Sequence, residues 1–255
     1  MFWNKNNNFL LIGFVLMIFL IYSCGTGSRF IYQQSEKDEI ARAAELNAWS
    51  MGKEMWFDAD LGTNGRSCES CHPNGDITNA EMYPRYKHVL RTMATISMTH
   101  NFAVVNESKG EPWILGSEPS NALVLFVKSL ADGETIRLAP PELYKKEWVD
   151  KGRTAFIDTA PGTNGKSCNS CHAMDKKSLS GTNNHVPLKG VAAYYPKYSA
   201  KAGRVILLEQ QINACIESSM NGRPLPLDHE TIVALTTYLT YLSEGFEIKV
   251  THGFK

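Results

Sequence analysis

Helix-spaced apolar positions dominate the chain. Near residues 231–242 they form one stripe, and a similar pattern occurs near 120–130. An earlier helix is predicted over about 35–58, where Ser35 and Asp38 form a cap. The stripe near 231–242 consists of Leu235, Tyr238, Leu239 and Leu242, and the apolar positions of the early helix are Ile40, Ala44, Leu46 and Ala48. Because no alternating strand pattern of useful length accompanies them, the predicted fold class is all-α.

A fourteen-residue run without charge extends from Phe9 to Tyr22, after Lys5. A membrane-spanning helix needs about 20 apolar residues, so this run favours the core of a signal peptide. The sequence that ends at Cys24 is similar to a bacterial lipoprotein cleavage box, which predicts removal of residues 1–23 and acylation of Cys24. The alternative is an uncleaved, tilted anchor in which Cys24 is unmodified. We therefore expect a periplasmic protein, lipid-anchored to a bacterial membrane.

The remaining chain is duplicated. Residues 52–72 and 152–172 share 11 of 21 positions, including a Gly-Thr-Asn-Gly run before each cysteine motif. Further on the offset changes from 100 to 112, since Tyr83-Pro84 matches Tyr195-Pro196 and Gly133 matches Gly245. The repeat predicts a tether over 24–34, one domain over 35–133, a linker over 134–142, a second domain over 143–247 and a tail over 248–255.

Each copy contains the motif Cys-x-x-Cys-His, at residues 68–72 and 168–172. The two thiols of such a motif form thioethers with a haem, and the adjacent histidine ligates the iron. A zinc site would need further paired Cys or His residues, which the sequence lacks. We predict two covalently bound haem c groups in two tandem class-I-like cytochrome c domains. The thiols belong to Cys68, Cys71, Cys168 and Cys171, and the ligands are His72 and His172.

Cys215 has no obvious partner cysteine. It follows His172 by 43 residues, where a cytochrome chain returns across the other face of the haem. A thiolate there would lower the reduction potential and leave a sulfur atom able to take part in chemistry. The alternatives are an inert buried thiol or a disulfide to another chain. We predict Cys215 as the second ligand of haem 2.

Haem 1 needs a different second ligand, because the repeat places Ala103 opposite Cys215. His100 lies one helical turn before Ala103, on the same face, and is the preferred ligand. Met98 is the main alternative, because thioether ligation raises the potential. Further candidates are Met93 and His88, whereas His185, His229 and His252 fit a surface or loop position.

Composition adds little, with 43% apolar and 20% charged residues as in an ordinary globular chain. Lys plus Arg balance Asp plus Glu at 26 each, which gives no reason to expect nucleic acid as a partner. The stretch between the second haem motif and Leu227 contains seven basic residues and three acidic residues. This excess fits a small anion near haem 2, or merely offsets haem carboxylates.

Residues 190–196 (GVAAYYP), 203–205 (GRV), 211–222 (QINACIESSMNG) and 225–228 (LPLD) carry a family resemblance. They resemble the catalytic domain of di-haem thiosulfate dehydrogenases, the c-type cytochromes that form tetrathionate. The resemblance implies that Cys215 ligates the active-site haem, that Ser219 contacts the substrate and that Lys201 binds the anion. Gln211 and Ser218 stand where that family usually has arginines. The cysteine-ligated domain comes second, an order nearer to SoxA cytochromes.

Two classes of function follow. As an enzyme, the chain would oxidise a small sulfur anion, thiosulfate to tetrathionate, beside haem 2 and pass electrons through haem 1 to a soluble or membrane electron-transfer partner. The alternatives are a non-catalytic periplasmic electron carrier and a SoxA-like sulfur-transfer subunit. The basic excess of the second copy favours catalysis, whereas Gln211 weakens the case for binding a dianion.

Overall fold

The computed structural model describes residues 36–138, 142–172 and 188–251. Cys24 and the predicted signal peptide lie outside them, as do His185, His252 and the lysines at 176 and 177. Within these ranges, none of the helices combines the length and the apolar character that a membrane crossing requires. Among the described residues, those from Ala44 onward form one compact unit, and residues 36–43 belong to a separate one.

The described chain is mostly helical. Helix α1 covers 36–57, and in chain order the others are α2 (Cys68–Cys71), α3 (Ile96–Ala103), α4 (Glu118–Leu130), α5 (Glu142–Ile157), α6 (Cys168–His172), α7 (Leu208–Met220) and α8 (Glu230–Tyr241). The described residues also contain two short antiparallel hairpins, one before α3 and one before α7, which the sequence analysis did not predict. Strand β1 (Arg85–Lys87) pairs with β2 (Thr92–Ala94), and β3 (Lys197–Ser199) pairs with β4 (Arg204–Ile206). Strands of three residues are too short to show an alternating pattern.

Each half is built around a close crossing of two helices. In the first half a Cβ added to Gly52 would lie 2.1 Å from the carbonyl oxygen of Ala122 on α4. In the second half a Cβ added to Gly152 on α5 would lie 2.1 Å from the carbonyl oxygen of Ala234 on α8. Glycine at both positions removes the side chain that would keep the helices apart. The repeat therefore preserves the helix packing as well as the cysteine motif.

Aromatic and aliphatic side chains fill the core beside these crossings. Trp56 lies 5.7 Å from Phe126 in the first half, and Phe156 lies 5.5 Å from Tyr238 in the second, measured between ring centroids. Leu123 and Ile232 are completely buried. Full burial of such a side chain contributes about 1.5–3 kcal/mol relative to exposure.

The buried face of α1 differs from the predicted stripe. Ile40 and Leu46 are exposed, whereas Glu45 is buried. The carboxylate of Glu45 accepts a hydrogen bond of 2.8 Å from the backbone N–H of Tyr198, which satisfies its charge inside the protein. The stripe prediction was wrong at Ile40 and Leu46, since a contact 153 residues away in sequence sets the orientation of this helix. The stripe predicted for α8 is confirmed, with Leu235, Tyr238 and Leu239 buried.

The hydrogen bonds confirm the repeat offset of 112. The side chain of Asn101 bridges the backbone N–H and carbonyl of Trp113, and Asn213 bridges those of Leu225 in the same way. These two asparagines and their partners differ by 112 residues in each case. Ala103 and Cys215 are therefore structural equivalents.

The segment expected to be a linker pairs with the chain around the start of the expected tail. The N–H of Ile136 donates to the carbonyl of Phe246, and the N–H of Ile248 donates to that of Glu134, both at 2.9 Å. Ile136, Ile248 and Val250 are buried. This pairing ties the end of the first copy to the end of the second.

Candidate haem cavities and substrate groove

Cavity 1, of about 920 Å³, lies in the first half. Cys68 and Cys71 on α2, and His72 directly after it, line one side of the cavity, and His100 on α3 also lines it. The Nδ1 atom of His72 lies 3.1 Å from the carbonyl oxygen of Asp76. A hydrogen bond from Nδ1–H to a carbonyl leaves Nε2 as the free ligand atom, which is the usual arrangement of a metal-binding histidine.

The Nδ1 atom of the half-buried His100 is itself buried and has no hydrogen-bond partner among the described residues. Burial, together with the nearby His72, lowers the pKa of His100 to about 3, so the imidazole is neutral. A buried imidazole nitrogen without a protein partner fits a group that occupies the cavity. The structure thus places His100 in the lining of cavity 1, with the two cysteines and His72.

The alternative ligands of haem 1 lie elsewhere. Met93 and Met98 pack in a separate apolar cluster with Trp148, Val233 and Ala234. The ring of His88 contacts Tyr86 and Tyr144 edge-on, with ring centroids 5.1 and 5.8 Å away. None of these three candidates is among the residues that line cavity 1. His229 was expected at a surface or loop position. It caps α8, because its ring nitrogen accepts a hydrogen bond from the N–H of Thr231.

Cavity 2, of about 710 Å³, is the equivalent space in the second half. Cys168, Cys171 and His172 line it, as do Cys215 and Ser219 on α7. Gln211 is one turn before Cys215 on α7, and its Nε2 donates a hydrogen bond of 3.6 Å to the half-buried sulfur.

The first cysteine of each motif is shielded from water. Burial raises the pKa of both Cys68 and Cys168 to about 11, which keeps the thiols neutral. A zinc site or a redox dithiol would instead need a stabilised thiolate. The environment of the motifs therefore fits thioether attachment to haem better than either alternative.

Sequence reasoning missed two basic side chains at the cavities. Arg66 lines cavity 1 and Lys166 lines cavity 2, each two residues before the first cysteine of its motif. Their equivalence in the repeat was the signal that could have identified them. Glu69 was missed as well: its carboxylate accepts hydrogen bonds from the N–H of Asn74 and the indole N–H of Trp56, which lower its pKa and fix the first motif against α1.

Lys201 does not line cavity 2. It lies in an open groove of about 1530 Å³ between the loop at residues 114–117 and helix α7, together with Arg204, Glu217 and Ser218. Gln211 lines both this groove and cavity 2. The structure therefore brings Cys215 and Ser219 together in the cavity, and places Lys201 in the adjacent groove beyond Gln211.

The loop that forms one wall of this groove comes from the first half. The carbonyl of Gly116 accepts hydrogen bonds from Arg204 at 2.8 Å and from the side chain of Gln210 at 3.0 Å. The Oε1 atom of Gln210 accepts from Asn121 on α4 at 2.8 Å. Hydrogen bonds from the first half thus help to position α7, the helix of the second half that carries Gln211 and Cys215.

These two cysteine-lined cavities in a mostly helical chain define a c-type cytochrome. The model of the SoxA/TsdA cytochrome c domain family matches residues 51–136 and 151–248. The chain belongs to this family of cytochromes, whose c-type haem is covalently bound.

Two relatives show how far the similarity extends. The thiosulfate dehydrogenase of Allochromatium vinosum is 40% identical over 107 residues, which covers 40% of this chain and 40% of that protein. The L-cysteine S-thiosulfotransferase subunit SoxA of Hydrogenobacter thermophilus is 23% identical over 234 residues, which covers 86% of this chain and 91% of that protein. The chain thus spans about two fifths of the length of the dehydrogenase.

The fold is similar to that of a solved structure, SoxXA from P. pantotrophus. The match has a TM-score of 0.68 at 17% sequence identity and covers 80% of this chain and 75% of the other. At this identity the comparison supports the fold alone. Together the comparisons establish the family and the fold.

Proposed function

We propose that the protein carries two c-type haems, one in each cavity, and oxidises a small sulfur anion beside Cys215. The favoured reaction joins two thiosulfate ions into one tetrathionate and releases two electrons. The observation that carries the proposal is the arrangement around Gln211, which separates a groove with two basic side chains from the cavity that contains Cys215. Cavity 1 then holds the haem that passes electrons to an external partner.

The residues that would hold the haems follow from the two cavities. In cavity 2, Cys168 and Cys171 would supply the thioethers and His172 and Cys215 the iron ligands. In cavity 1, the thioethers would come from Cys68 and Cys71 and the ligands from His72 and His100. When bound, each haem supplies one-electron redox chemistry. The protein sets the charge, the ligand type and the access of solvent around it.

Lys201 and Arg204 would attract the anion into the groove by their charge. Arg204 already donates to the carbonyl of Gly116, which fixes its side chain in the groove wall. Gln211 and Ser219 offer neutral hydrogen-bond donors closer to Cys215, and Lys166 offers a positive charge at cavity 2. Cys215 would both ligate iron and present its sulfur to the sulfur of the substrate.

A second candidate function is the transfer of a sulfur anion to a cysteine thiol, as the name of the SoxA relatives implies. The groove favours this candidate because it is open to solvent, so that a second reactant could reach it. Incubation with thiosulfate and an oxidised electron acceptor, with and without an added thiol, distinguishes the two. A dehydrogenase forms tetrathionate without the thiol, whereas a transferase forms product only with it.

The residue test uses Cys215→Ala. The fold and both covalent haems should remain, while one of the two midpoint potentials rises, because water donates less charge to iron than a thiolate does. Oxidation of thiosulfate should be lost. Met220 also lines cavity 2, so the double variant Cys215→Ala with Met220→Leu excludes a replacement ligand. Unchanged spectra in both variants would show that Cys215 is not an iron ligand, and the protein would then be an electron carrier.

We also propose that the protein is exported and anchored to a membrane by a lipid on Cys24, which leaves the described residues in the periplasm. The short apolar run of residues 9–22 and the polar segment that follows it support this location. In this compartment electrons from haem 1 would pass to a soluble or membrane-bound redox protein.

A further inference from the structure

A third cavity lies between the two halves and is distinct from both haem cavities. Its volume is about 440 Å³, and we call it the interface cavity. Lys128 on α4, Glu209 on α7 and Thr236 on α8 line it. All three side chains are buried, and none of them has a role in the function proposed above.

The polar groups of the interface cavity have unused hydrogen-bonding capacity. Lys128 Nζ donates one long hydrogen bond, of 3.5 Å, to the carbonyl of Ala80, whereas an ammonium group has three N–H donors. Thr236 Oγ1 is buried and has no partner among the described residues. Buried polar groups that lack a protein partner are normally satisfied by ordered water. The site therefore fits bound water and an exchangeable proton.

The interface cavity is adjacent to both haem cavities. Tyr83 and Ile96 line it and also line cavity 1, and Leu208 lines it and also lines cavity 2. The interface cavity therefore shares part of its wall with each predicted haem cavity. In a poorly hydrated interior, a change of one unit charge in either haem cavity acts strongly on these groups.

We propose that the interface cavity is a proton-binding site coupled to electron transfer. In alkaline solution, the neutral amine of Lys128 takes one proton from solvent when one electron enters a neighbouring haem cavity and reduces iron from the ferric to the ferrous state. The proton returns to solvent when the electron leaves, so that the charge of the region stays constant. Glu209 supplies the counter-charge. The proposal rests on haem in these cavities, and it holds whichever sulfur anion is the substrate.

The charges that face Lys128 fit this role. Burial lowers the pKa of Lys128 to about 8, while the carboxylates of Glu209 and Glu81 act in the opposite direction. Burial raises the pKa of Glu209, and Thr95 and Lys128 oppose that rise. Glu81 is itself paired with Arg137 at 3.2 Å. The remaining titratable side chains at the cavity are Tyr83 and Tyr195, and burial raises the pKa of Tyr195 to about 12.

The sign of the coupling follows from these values. Below about pH 8 Lys128 carries its proton in both redox states, so the midpoint potential does not depend on pH. Above that value the oxidised protein loses the proton, whereas an added electron favours its retention. The midpoint should therefore fall as the pH rises, by at most about 59 mV per tenfold change in proton concentration for one electron.

A spectroelectrochemical titration of the haem-loaded protein from about pH 6 to about pH 10 tests the proposal. The double variant Lys128→Met with Glu209→Gln removes both charges together, which avoids leaving one buried charge unpaired. Its midpoints should be independent of pH above about pH 8. The matched control is Lys151→Met with Glu230→Gln, an exposed lysine–glutamate pair at 2.6 Å, which should titrate like the wild type.

A flat wild-type titration would overturn the proposal, and so would a pH dependence that persists in the double variant. If the double variant does not fold, the same titration of the single variant Glu209→Gln tests the proposal. Loss of the neighbouring carboxylate lowers the pKa of Lys128 further, so the onset of the pH dependence should move to lower pH, and an unmoved onset would contradict the proposal. None of these measurements uses a sulfur anion, so the result is independent of the proposed reaction.

Discussion

Replacing Gly152 by alanine tests how closely α5 and α8 cross. The added Cβ would lie 2.1 Å from the carbonyl oxygen of Ala234 and 2.5 Å from the Cβ of Tyr238. Both contacts are far inside van der Waals distance, and a backbone atom and a Cβ cannot turn away as the end of a flexible side chain can. The two helices must therefore move apart, which also disturbs Phe156 and Leu239 in the lining of cavity 2.

The expected loss of stability is modest but measurable. Overpacking a core costs about 1–3 kcal/mol, and alanine returns about 1 kcal/mol because it favours the helix over glycine. The clash of 2.1 Å involves a backbone oxygen, so the upper end of the overpacking range applies and the net destabilisation is about 2 kcal/mol. For a chain of roughly 150–250 residues this lowers the melting temperature by about 4–8 °C. Gly52→Ala should behave alike, because its Cβ would lie 2.1 Å from the carbonyl oxygen of Ala122.

Thermal unfolding of haem-loaded protein, followed by circular dichroism, is the assay. Thr154→Ala is the matched control, since Thr154 lies on the same helix and is exposed, and its effect should stay within about 0.5 kcal/mol. A Gly152→Ala variant that melts at or above the wild-type temperature would refute the close crossing.

Three further predictions concern the cofactors, the ligands and the lipid. The double variant Cys68→Ala with Cys71→Ala should lose one of two covalent haems in the intact mass, because each motif supplies both thioethers; loss of both or neither would contradict one haem per cavity. His100→Ala should change the absorption and paramagnetic resonance signals of haem 1, while Met98→Leu should leave them unaltered, because His100 lines cavity 1 and Met98 does not; the reverse result would make Met98 the ligand. Wild-type cells fed labelled fatty acid should label the protein, and Cys24→Ala should abolish the label; equal labelling of both would favour the uncleaved anchor.

The cysteine motifs, the repeat and the closing helices could be predicted because their signals are local in the sequence. Cys168, Cys171 and His172 adjoin one another, and the offset of 112 that makes Cys215 equivalent to Ala103 is readable from matched residues. The prediction of His100 needed only helical periodicity. Whether these side chains ligate iron stays a prediction for the experiments above.

The features that were not predicted depend on contacts between distant segments. Glu45 is buried where its carboxylate accepts a hydrogen bond from the N–H of Tyr198. The residues around Glu45 in the sequence give no signal of this distant partner. Lys201 reaches a groove whose other wall comes from the first half, so its separation from Cys215 has no local signal. Lys128 lies on the apolar helix α4, where a sequence pattern suggests an exposed lysine rather than one buried at an interface cavity.

Anaerobic mixing of the oxidised protein with thiosulfate tests the central claim most directly. Haem reduction would be followed by visible absorption, and tetrathionate would be quantified in the same sample. The account predicts haem reduction in the wild type, with one tetrathionate formed for every two electrons transferred, and no tetrathionate with Cys215→Ala. Wild-type protein that stays oxidised with thiosulfate, or a Cys215→Ala variant that forms tetrathionate at the wild-type rate, would contradict oxidation of the anion at Cys215.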